Sequence, residues 1–539
     1  MPITARSEVA HAPPTSPAIA TIAIAKSPIP RIRHLVRAMA RRLSGPPGAR
    51  SVTGDAGQSS RTRRLHLVGL FAALVLVSAF LRLPTFGNHV FNTDEAYLAT
   101  EAQVLDHGGQ LYVDAVDRKP PLVPYVYAAT FAVVGNDDLT TVRVLAVLAH
   151  ALTALLLAIE ARRRFRGKWT AVAAGVGYLL AATAFRPQDA QAANFEVFML
   201  PLMTAAMVLG IRRRTAAGGA MLAVATLAKQ TAVVALLPLG WLAWRARRLR
   251  GLIALGVYFA GPILVVAAVM GFHDFFFWVF TGNGGYLDAS GVLGYSLALG
   301  ARKTEWFLLG HAVIVVLAVA AWPRRRDDAD LWLWTASGVV AVFAGLRFFP
   351  HYYLQLLPPL CLLATRTLTS SKFFTRRWVV VGMAAILAGT TAYYLEQALA
   401  QTETRDARIA ADVARYVRAH TTHDERVLVW GHAPEVYWAA DRLPATRFPT
   451  TGYLTGESGG RPPDRVGMQY ATPGAWSQFL DDLHQRVPTL IVDMSTADQR
   501  NARFYPPKLF PPFARYLASG RWRRVATVDG AAIYRSNGT

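Results

Sequence analysis

The 539-residue sequence contains a single cysteine, Cys361, and only 34 acidic residues against 57 lysines and arginines. One cysteine excludes a disulfide framework and a cysteine-based metal site. The sequence also lacks His-Glu-x-x-His and a phosphate-binding loop ending in Gly-Lys-Ser/Thr. These absences argue against the metalloprotease and nucleotide-hydrolase classes that those motifs mark.

Long apolar blocks dominate what is present, and 53% of the residues are hydrophobic. Blocks of about 18 or more apolar residues with few charges are typical of transmembrane helices. The net charge of +23 would suggest a nucleic-acid partner in a soluble protein. Here the basic residues cluster in short loops between apolar blocks, where they orient helices in a membrane. We therefore expect a lipid bilayer, and no nucleic acid, as the partner.

The apolar blocks predict a mainly α-helical polytopic membrane protein with about eleven transmembrane helices. Residues 1–64, rich in Pro, Ser, Ala and Arg, predict a disordered basic cytoplasmic tail. The block Leu65–Leu83 is longer than a signal-peptide core and lacks a clear cleavage site, so we interpret it as a retained first helix. The other predicted spans are 140–160, 169–185, 195–211, 216–229, 231–244, 251–271, 304–322, 331–347, 352–366 and 378–396.

Two segments decide the topology. Pro120–Gly135 is apolar but short, and we interpret it as an interfacial helix within the first outer loop, residues 84–139. Residues 216–244 are too long for one span, and a hairpin turning at Lys229–Gln230 is expected. With the N-terminus inside, one topology then places five basic loops inside: Arg162–Lys168, Arg212–Arg214, Arg245–Arg250, Arg324–Arg326 and Arg366–Arg377.

The same topology places the C-terminal region, residues 397–539, outside the membrane. It starts with a helical pattern at Arg405–His420, followed by short β-type runs at 427–430, 490–492, 522–528 and 532–534. Mixed patterns of this kind predict a small extracytoplasmic α/β domain. The membrane domain would accordingly comprise residues 65–396.

An acidic pair, Asp94 and Glu95, lies in the first outer loop shortly after the first helix. Acidic residues are not the usual anchors at a membrane surface. A carboxylate there can act as a general base toward an incoming hydroxyl, or it can hold a divalent metal. The alternative is local: Thr93 or Asp94 could cap a helix whose positive end favours acids.

Arg118 and Lys119 precede two prolines at the start of the interfacial helix, at headgroup level, where cations meet phosphate. An ordinary snorkelling lysine is the alternative. Further polar residues gather at the outer ends of helices, where ionisable groups are functional candidates. They are Arg143, Arg186, Gln188, Asn194, Glu196, Lys229, His273, Asp274, Arg347 and His351. Together these groups suit a substrate with a charged headgroup.

These motifs carry a resemblance to a known superfamily. Asp94-Glu-Ala-Tyr97, Leu111-Tyr-Val-Asp114, Lys119-Pro-Pro-Leu122 and the following Arg143 resemble the GT-C glycosyltransferases of the protein O-mannosyltransferase and aminoarabinose-transferase type (family 39 type). Weaker similarities are Ala193-Asn-Phe-Glu-Val-Phe198, Ala228-Lys-Gln-Thr231, the segment from Phe349 to Pro359, and Val429-Trp-Gly-His-Ala-Pro434. The resemblance covers residues 65–400 well and the C-terminal region loosely.

The resemblance implies a polyprenyl-phosphate sugar donor and inversion at the anomeric carbon. It implies that Asp94 is the base, that Glu95 supports it or binds metal, and that Lys119 holds the donor phosphate. Arg118, Arg186 and Arg347 are further candidates for the phosphate, and His351 and Tyr352 for the sugar pocket. No cofactor is required, although a divalent metal is compatible. The composition fits the plasma membrane of a bacterium.

Two other functions share some of these features. A transporter or flippase for a lipid-linked sugar would use the same cations and helices, but inverted repeats, which are common in transporters, are not evident. An assembly protein would not need the acidic pair beside Lys119. The Trp-Trp-Asp sequence of oligosaccharyltransferases is absent. Asp328-Ala-Asp330 matches a metal motif of nucleotide-sugar enzymes, but it lies in a basic loop and we interpret it as coincidence. The sugar and the acceptor (protein, lipid or polysaccharide) stay open.

Overall fold

The computed structural model describes residues 53–87, 92–135, 138–283, 288, 290–400, 405–499 and 502–537. Of the predicted disordered tail, residues 1–52 lie outside these ranges, whereas residues 53–64 are helical, contrary to the prediction. The chain divides into two units, Met1–Leu65 and His66–Thr539. The described part of the first unit is the beginning of helix α1 (Thr53–Arg82). Everything below concerns the second unit.

Helices occupy most of the second unit up to residue 400. After α1 the chain continues through fourteen α-helices in the described residues. They are α2 (Thr93–Asp106), α3 (Leu122–Val134), α4 (Thr140–Arg164), α5 (Thr170–Ala181), α6 (Pro187–Ala190), α7 (Phe195–Ile211), α8 (Thr215–Ala228), α9 (Leu236–Met270), α10 (Phe272–Val279), α11 (Leu293–Gly310), α12 (Ala312–Val319), α13 (Ala329–Phe343), α14 (Leu357–Ser370) and α15 (Arg377–Leu399).

Four helical segments of the described chain are long and apolar enough to cross a membrane. They are Arg64–Phe86, Thr140–Arg164, Gln230–Met270 and Arg377–Leu399. Shorter apolar helices, α5, α7, α8 and α13 among them, occupy further intervals predicted from hydropathy. The protein is thus a multi-pass membrane protein, whereas the count of eleven spans stays a prediction.

The two predicted turns near residues 229 and 247 are visible in the backbone. Helix α8 ends before Lys229, and a short 3-10 helix, Gln230–Ala235, leads into α9. Helix α9 is interrupted at Arg247 and Arg248, whose dihedral angles are not helical. A Cβ on Gly251 would lie 2.3 Å from the carbonyl oxygen of Ala243, so only glycine allows this close return of the chain. The basic segment Arg245–Arg250 therefore forms a turn between two apolar halves.

Ion pairs join several of the basic loops at one end of the helices. Arg164, at the end of α4, contacts Asp330 at 2.6 Å and Asp328 at 3.0 Å. Arg366, in α14, contacts Asp328 at 3.1 Å. Asp328 and Asp330 are buried and neutralise these arginines. The Asp-Ala-Asp sequence is thus part of a structural ion-pair group, in agreement with its interpretation as coincidence.

The region from residue 405 contains helices and one four-stranded sheet. Its helices are α16 (Arg405–His420), α17 (Glu435–Ala440), α18 (Gly452–Thr455), α19 (Ala475–Gln485) and α20 (Pro511–Leu517). Its strands are β1 (Val427–Trp430), β2 (Leu490–Asp493), β3 (Trp522–Val528) and β4 (Ala531–Ser536), in the order β1-β2-β4-β3. β1 and β2 are parallel, and the other two pairs are antiparallel.

Local sequence explains these elements. Ile409, Val413 and Val417 recur along one face of α16 and are buried against the strands. Asp529 and Gly530 both have positive φ, as a tight hairpin turn between β3 and β4 requires. Because the region packs into one compact unit with the helices, the domain boundary at residue 397 stays a prediction.

Candidate active site

The N-terminus of α2 positions the first acid of the predicted pair. The Asn92 side chain caps this helix by accepting a hydrogen bond from the Asp94 amide at 2.7 Å. Its own amide group donates to the Gln188 carbonyl at 2.8 Å, which ties the helix to the 186–194 loop. The cap is therefore neither Thr93 nor Asp94, as the local alternative proposed. The carboxylate of Asp94 is left to interact with residues outside its own helix.

Asp94 meets Asp189 and His351, which come from two other outer segments. One ligand atom from each of these three side chains lies within 4.8 Å of the other two. The Asp189 carboxylate binds His351 at two points. Its Oδ1 lies 2.6 Å from His351 Nδ1, and its Oδ2 accepts a hydrogen bond from the His351 backbone amide at 3.3 Å. Carboxylate oxygens with an imidazole nitrogen form a set that could hold a divalent cation. Glu95, the predicted metal ligand, is not in this set.

Two lysines complete the group. The ammonium of Lys119 lies 4.3 Å from the centre of the Phe195 ring, and that of Lys229 lies 4.4 Å from the centre of the Tyr352 ring. Lys229 also forms a buried ion pair with Glu196. Glu196 in turn lies 3.7 Å from His351 Nε2. We call Asp94, Lys119, Asp189, Lys229 and His351 the outer cluster.

The charges of the outer cluster determine the protonation of Asp94. Burial raises the pKa of this carboxyl, but Lys119, His351, Lys229 and His432 together outweigh burial and hold the pKa below its usual value. Lys119 has the largest effect among these charges. Asp94 is consequently ionised at neutral pH, the state that a general base needs.

Glu95 points away from the outer cluster. Its Oε2 accepts from Arg143 at 2.7 and 3.2 Å, and its Oε1 accepts from the Ala193 amide at 2.8 Å. Both side chains of the ion pair are buried. Successive residues of a helix project about 100° apart. Asp94 and Glu95 therefore contact different groups, although they are adjacent in sequence. Glu95 thus joins α2, α4 and the 186–194 loop, and its predicted role, to support Asp94 or to bind metal, stays a prediction.

Two of the predicted phosphate ligands are bonded instead to the C-terminal region. The guanidinium of Arg118 lies 4.0 Å from the Tyr453 ring and donates to the Gly452 carbonyl at 3.4 Å. Buried Arg347 donates to Ser458 and, at 3.0 Å, to the Gly459 carbonyl. These contacts join both side chains to the C-terminal region, and a role of Arg118 and Arg347 toward phosphate stays a prediction.

Arg186 begins the short helix α6 from a strained turn. Both Phe185 and Arg186 have left-handed backbone angles, which costs non-glycine residues about 1–3 kcal/mol each. The guanidinium of Arg186 lies 5.3 Å from the ring centre of Trp306, beside which Arg302 and Lys303 also lie. Its role toward phosphate stays a prediction, as do the sugar-pocket roles of His351 and Tyr352.

Sequence reasoning missed two members of the site. Asp189 follows Arg186 in an outer loop, yet nothing local distinguishes it from a surface acid. His432 lies in the Gly-His-Ala-Pro segment of the C-terminal region, whose sequence indicates a similarity to other proteins but no role in the site. Glu196 and Lys229 are among the polar residues at helix ends, and their ion pair accounts for that position.

Comparisons with known proteins find a matching family and similar solved structures. The model of glycosyltransferase family 87 matches residues 121–350. ArnT from Cupriavidus metallidurans bound to undecaprenyl phosphate is similar in structure, with a TM-score of 0.56 and 17% identity over 87% of this chain and 97% of that one. Apo ArnT gives a TM-score of 0.57 and 16% identity over 88% and 98%.

The oligosaccharyltransferase of Archaeoglobus fulgidus in complex with Zn and sulfate has a TM-score of 0.53 and 11% identity, over 87% of this chain and 73% of that one. At such identities the likeness shows the fold. The family model adds the enzyme class. The chain is a membrane glycosyltransferase of the GT-C superfamily. The superfamily predicted from the sequence is thus confirmed, although the matching model is that of family 87 and not of the family 39 type. No curated protein sequence matches this glycosyltransferase significantly.

Proposed function

We propose that this glycosyltransferase moves a sugar from a polyprenyl-phosphate donor to a hydroxyl group of an envelope acceptor, with inversion at the anomeric carbon. The observation that carries the proposal is the position of the Asp94 carboxylate, which groups with Asp189 and His351 and lies within electrostatic reach of the ammonium groups of Lys119 and Lys229. Such a transfer has two requirements. A base must activate the acceptor hydroxyl group, and cations must stabilise the leaving phosphate; Asp94 and the two lysines meet these requirements.

In the proposed reaction the acceptor oxygen forms a bond to the anomeric carbon while its proton passes to Asp94. The bond between that carbon and the phosphate oxygen breaks, and polyprenyl phosphate leaves with both electrons of the bond. Lys119 and Lys229 offset the charge that develops on the phosphate. A single direct displacement, without a covalent enzyme intermediate, inverts the anomeric configuration.

The donor assignment has independent support. One of the structural neighbours, ArnT, is bound to undecaprenyl phosphate, and the fold is shared over most of both chains. A lipid-phosphate donor also fits a reaction at the outer face of the plasma membrane, since a transfer from such a donor would need no nucleotide there. The position of the outer cluster among helix ends fits a headgroup held at the membrane surface.

We further propose that the protein resides in the plasma membrane of a bacterium, with its N-terminus inside and its C-terminal region outside. The grouping of basic loops at one end of the helices supports this orientation. The chemistry requires no metal. A divalent cation on Asp94, Asp189 and His351 would occupy the carboxylate that the proton transfer needs.

Lipid mass spectrometry tests the donor. Membranes are compared from cells with wild-type protein, with Asp94→Asn protein, or with none. We expect the mutant and the null to accumulate the same polyprenyl-phosphate sugar and to lose that sugar from the envelope. If the lipid pool and the envelope sugars change in the null but not with Asp94→Asn, the flippase or assembly functions become the better explanations.

The pH dependence of transfer tests the electrostatic role of Lys119. A base that acts ionised loses activity as the pH falls through its pKa, and the charges around Asp94 hold that pKa below its usual value. Lys119→Gln removes the largest opposing charge, so the pKa of Asp94 rises and the acidic limb of the rate profile moves to higher pH.

The profile of initial rates is measured for wild type, Lys119→Gln and the control Lys372→Gln, which alters an exposed lysine between α14 and α15. The control limb should coincide with that of the wild type. If the Lys119→Gln limb also coincides with it, Lys119 does not set the protonation of Asp94.

A further inference from the structure

Two loops of the C-terminal region contact the segments that carry Asp94 and His351. The first, Gly431–Glu435, lies against α2. The Thr100 hydroxyl donates to the Pro434 carbonyl at 3.1 Å, and the Thr93 side chain forms a hydrogen bond with Glu435. The second, Glu457–Gly460, lies against the segment before His351. The C-terminal region thus contacts both the helix that carries Asp94 and the segment just before His351.

The second loop is fitted closely to the membrane part. A Cβ on Gly459 would lie 2.8 Å from the Phe349 ring, and a Cβ on Gly460 would lie 2.7 Å from the Arg347 carbonyl oxygen. The Phe349 ring stacks on His351 with an interplanar angle of 6° and a centroid distance of 5.4 Å. The Phe349 ring therefore lies between the loop that carries Glu457 and His351 of the outer cluster.

His432 is an exposed side chain on a rigid backbone. Its neighbours Gly431, Ala433 and Pro434 are buried, whereas its imidazole is exposed. A Cβ on Gly431 would lie 2.7 Å from the Cβ of Met494, and the backbone amide of His432 donates a hydrogen bond to the Tyr505 hydroxyl. The imidazole is close enough to act electrostatically on Asp94, Glu435 and Glu457.

Glu457 has one carboxylate oxygen without a hydrogen-bond partner among the described residues. This oxygen, Oε2, is buried. Buried polar atoms are nearly always bonded to protein, water or ligand. Burial raises the pKa of Glu457, and the nearby His432 opposes that rise. A ligand hydroxyl group donating to Glu457 would satisfy this atom.

We infer that His432 and Glu457 form the acceptor subsite and that the acceptor is a neutral saccharide. The inference rests on the proposed function. The membrane part supplies cations, which suit an anionic donor, whereas the C-terminal region supplies an imidazole and carboxyl groups. Several hydrogen-bonding groups within electrostatic reach of one imidazole suit a ligand with neighbouring hydroxyl groups better than the lone hydroxyl of a serine or threonine. The rings of Phe349, His351 and Tyr352 provide aromatic faces nearby.

Steady-state kinetics of the full chain in lipid nanodiscs test the subsite. The donor is the polyprenyl-phosphate sugar that accumulates in the null cells. The acceptor probes are neutral methyl glycosides, short neutral oligosaccharides, and a peptide containing serine and threonine. His432→Ala is expected to raise the KM for the best oligosaccharide about tenfold, the effect of one lost hydrogen bond to a ligand. The donor KM should stay within about twofold, because the cations that bind the donor are intact.

Two further variants separate a ligand contact from a general disturbance. His432→Gln keeps a hydrogen-bonding group and should recover part of the acceptor affinity. His484→Ala alters another exposed histidine of the C-terminal region, on α19, and should leave both KM values unchanged.

Each contrary outcome has a distinct meaning. An acceptor KM unaffected by His432→Ala, with Asp94→Asn inactive, would overturn the subsite and leave the proposed function intact. Normal transfer by Asp94→Asn would instead overturn the proposed function. If the peptide saturates the enzyme and no saccharide does, the acceptor class inferred here is wrong.

Discussion

Replacement of Asp94 by asparagine is expected to reduce sugar transfer about 10²- to 10⁴-fold, the usual contribution of a general base. Asparagine preserves the shape of the side chain but cannot accept the proton of the acceptor hydroxyl. The cap at Asn92 uses the backbone amide of Asp94 and not its carboxylate. The helix should therefore form normally, and the loss should appear in kcat and not in the amount of inserted protein.

The control for this experiment is Asp106→Asn, which changes an exposed acid at the other end of α2. It should transfer sugar at the wild-type rate. Wild-type enzyme is also assayed with excess chelator, and we expect no change. Full activity of Asp94→Asn would exclude the base. A chelator-sensitive rate would show that Asp94, Asp189 and His351 act as metal ligands.

Replacement of the adjacent Glu95 by glutamine is expected to destabilise the protein by about 3 kcal/mol or more. Removing one partner of a buried ion pair leaves the other charge uncompensated, and Arg143 is only 4% exposed. The thermal midpoint of the purified protein in detergent, or its resistance to a denaturing detergent, measures the effect. Two neighbouring acids thus have opposite signatures: Asp94 affects rate, and Glu95 affects stability.

A paired substitution makes this second prediction sharper. Glu95→Leu with Arg143→Leu removes both charges and should be more stable than Glu95→Leu alone, because no buried charge remains without a partner. If Glu95→Gln retains wild-type stability and instead loses activity, Glu95 takes part in the chemistry, as the sequence resemblance implied.

The positions of the helices could be predicted because their signal is local. The apolar blocks at 140–160 and 195–211 correspond to α4 and α7, and the turn expected at Lys229–Gln230 is present. Hydropathy and charge act within one helix or one loop, so a short stretch of sequence is enough to predict where a helix lies. The short strands from 427 to 536 were predicted for the same reason, as runs of β-favouring residues between turns.

Which residues form the site depends on the direction in which each side chain points, and a short stretch of sequence does not specify that direction. Arg118 and Lys119 are adjacent, yet one packs on Tyr453 and the other lies beside Phe195. Arg347 looked like a phosphate ligand because it is a cation at the outer end of a helix. The tertiary structure brings the 458–460 loop to it, and its hydrogen bonds are used there.

The sequence by itself determined that this chain is a helical membrane protein of the GT-C superfamily, and it singled out Asp94 and Lys119 in the segment after the first helix. These features follow from hydrophobicity, charge and a short motif, all of which act over neighbouring residues. Only the tertiary structure decided that Asp189 and His351 join Asp94, that Glu95 faces Arg143, and that His432 comes within electrostatic reach of Asp94 from the C-terminal region. Such contacts depend on how distant segments pack and on which face of a helix each side chain occupies, and one sequence does not specify either.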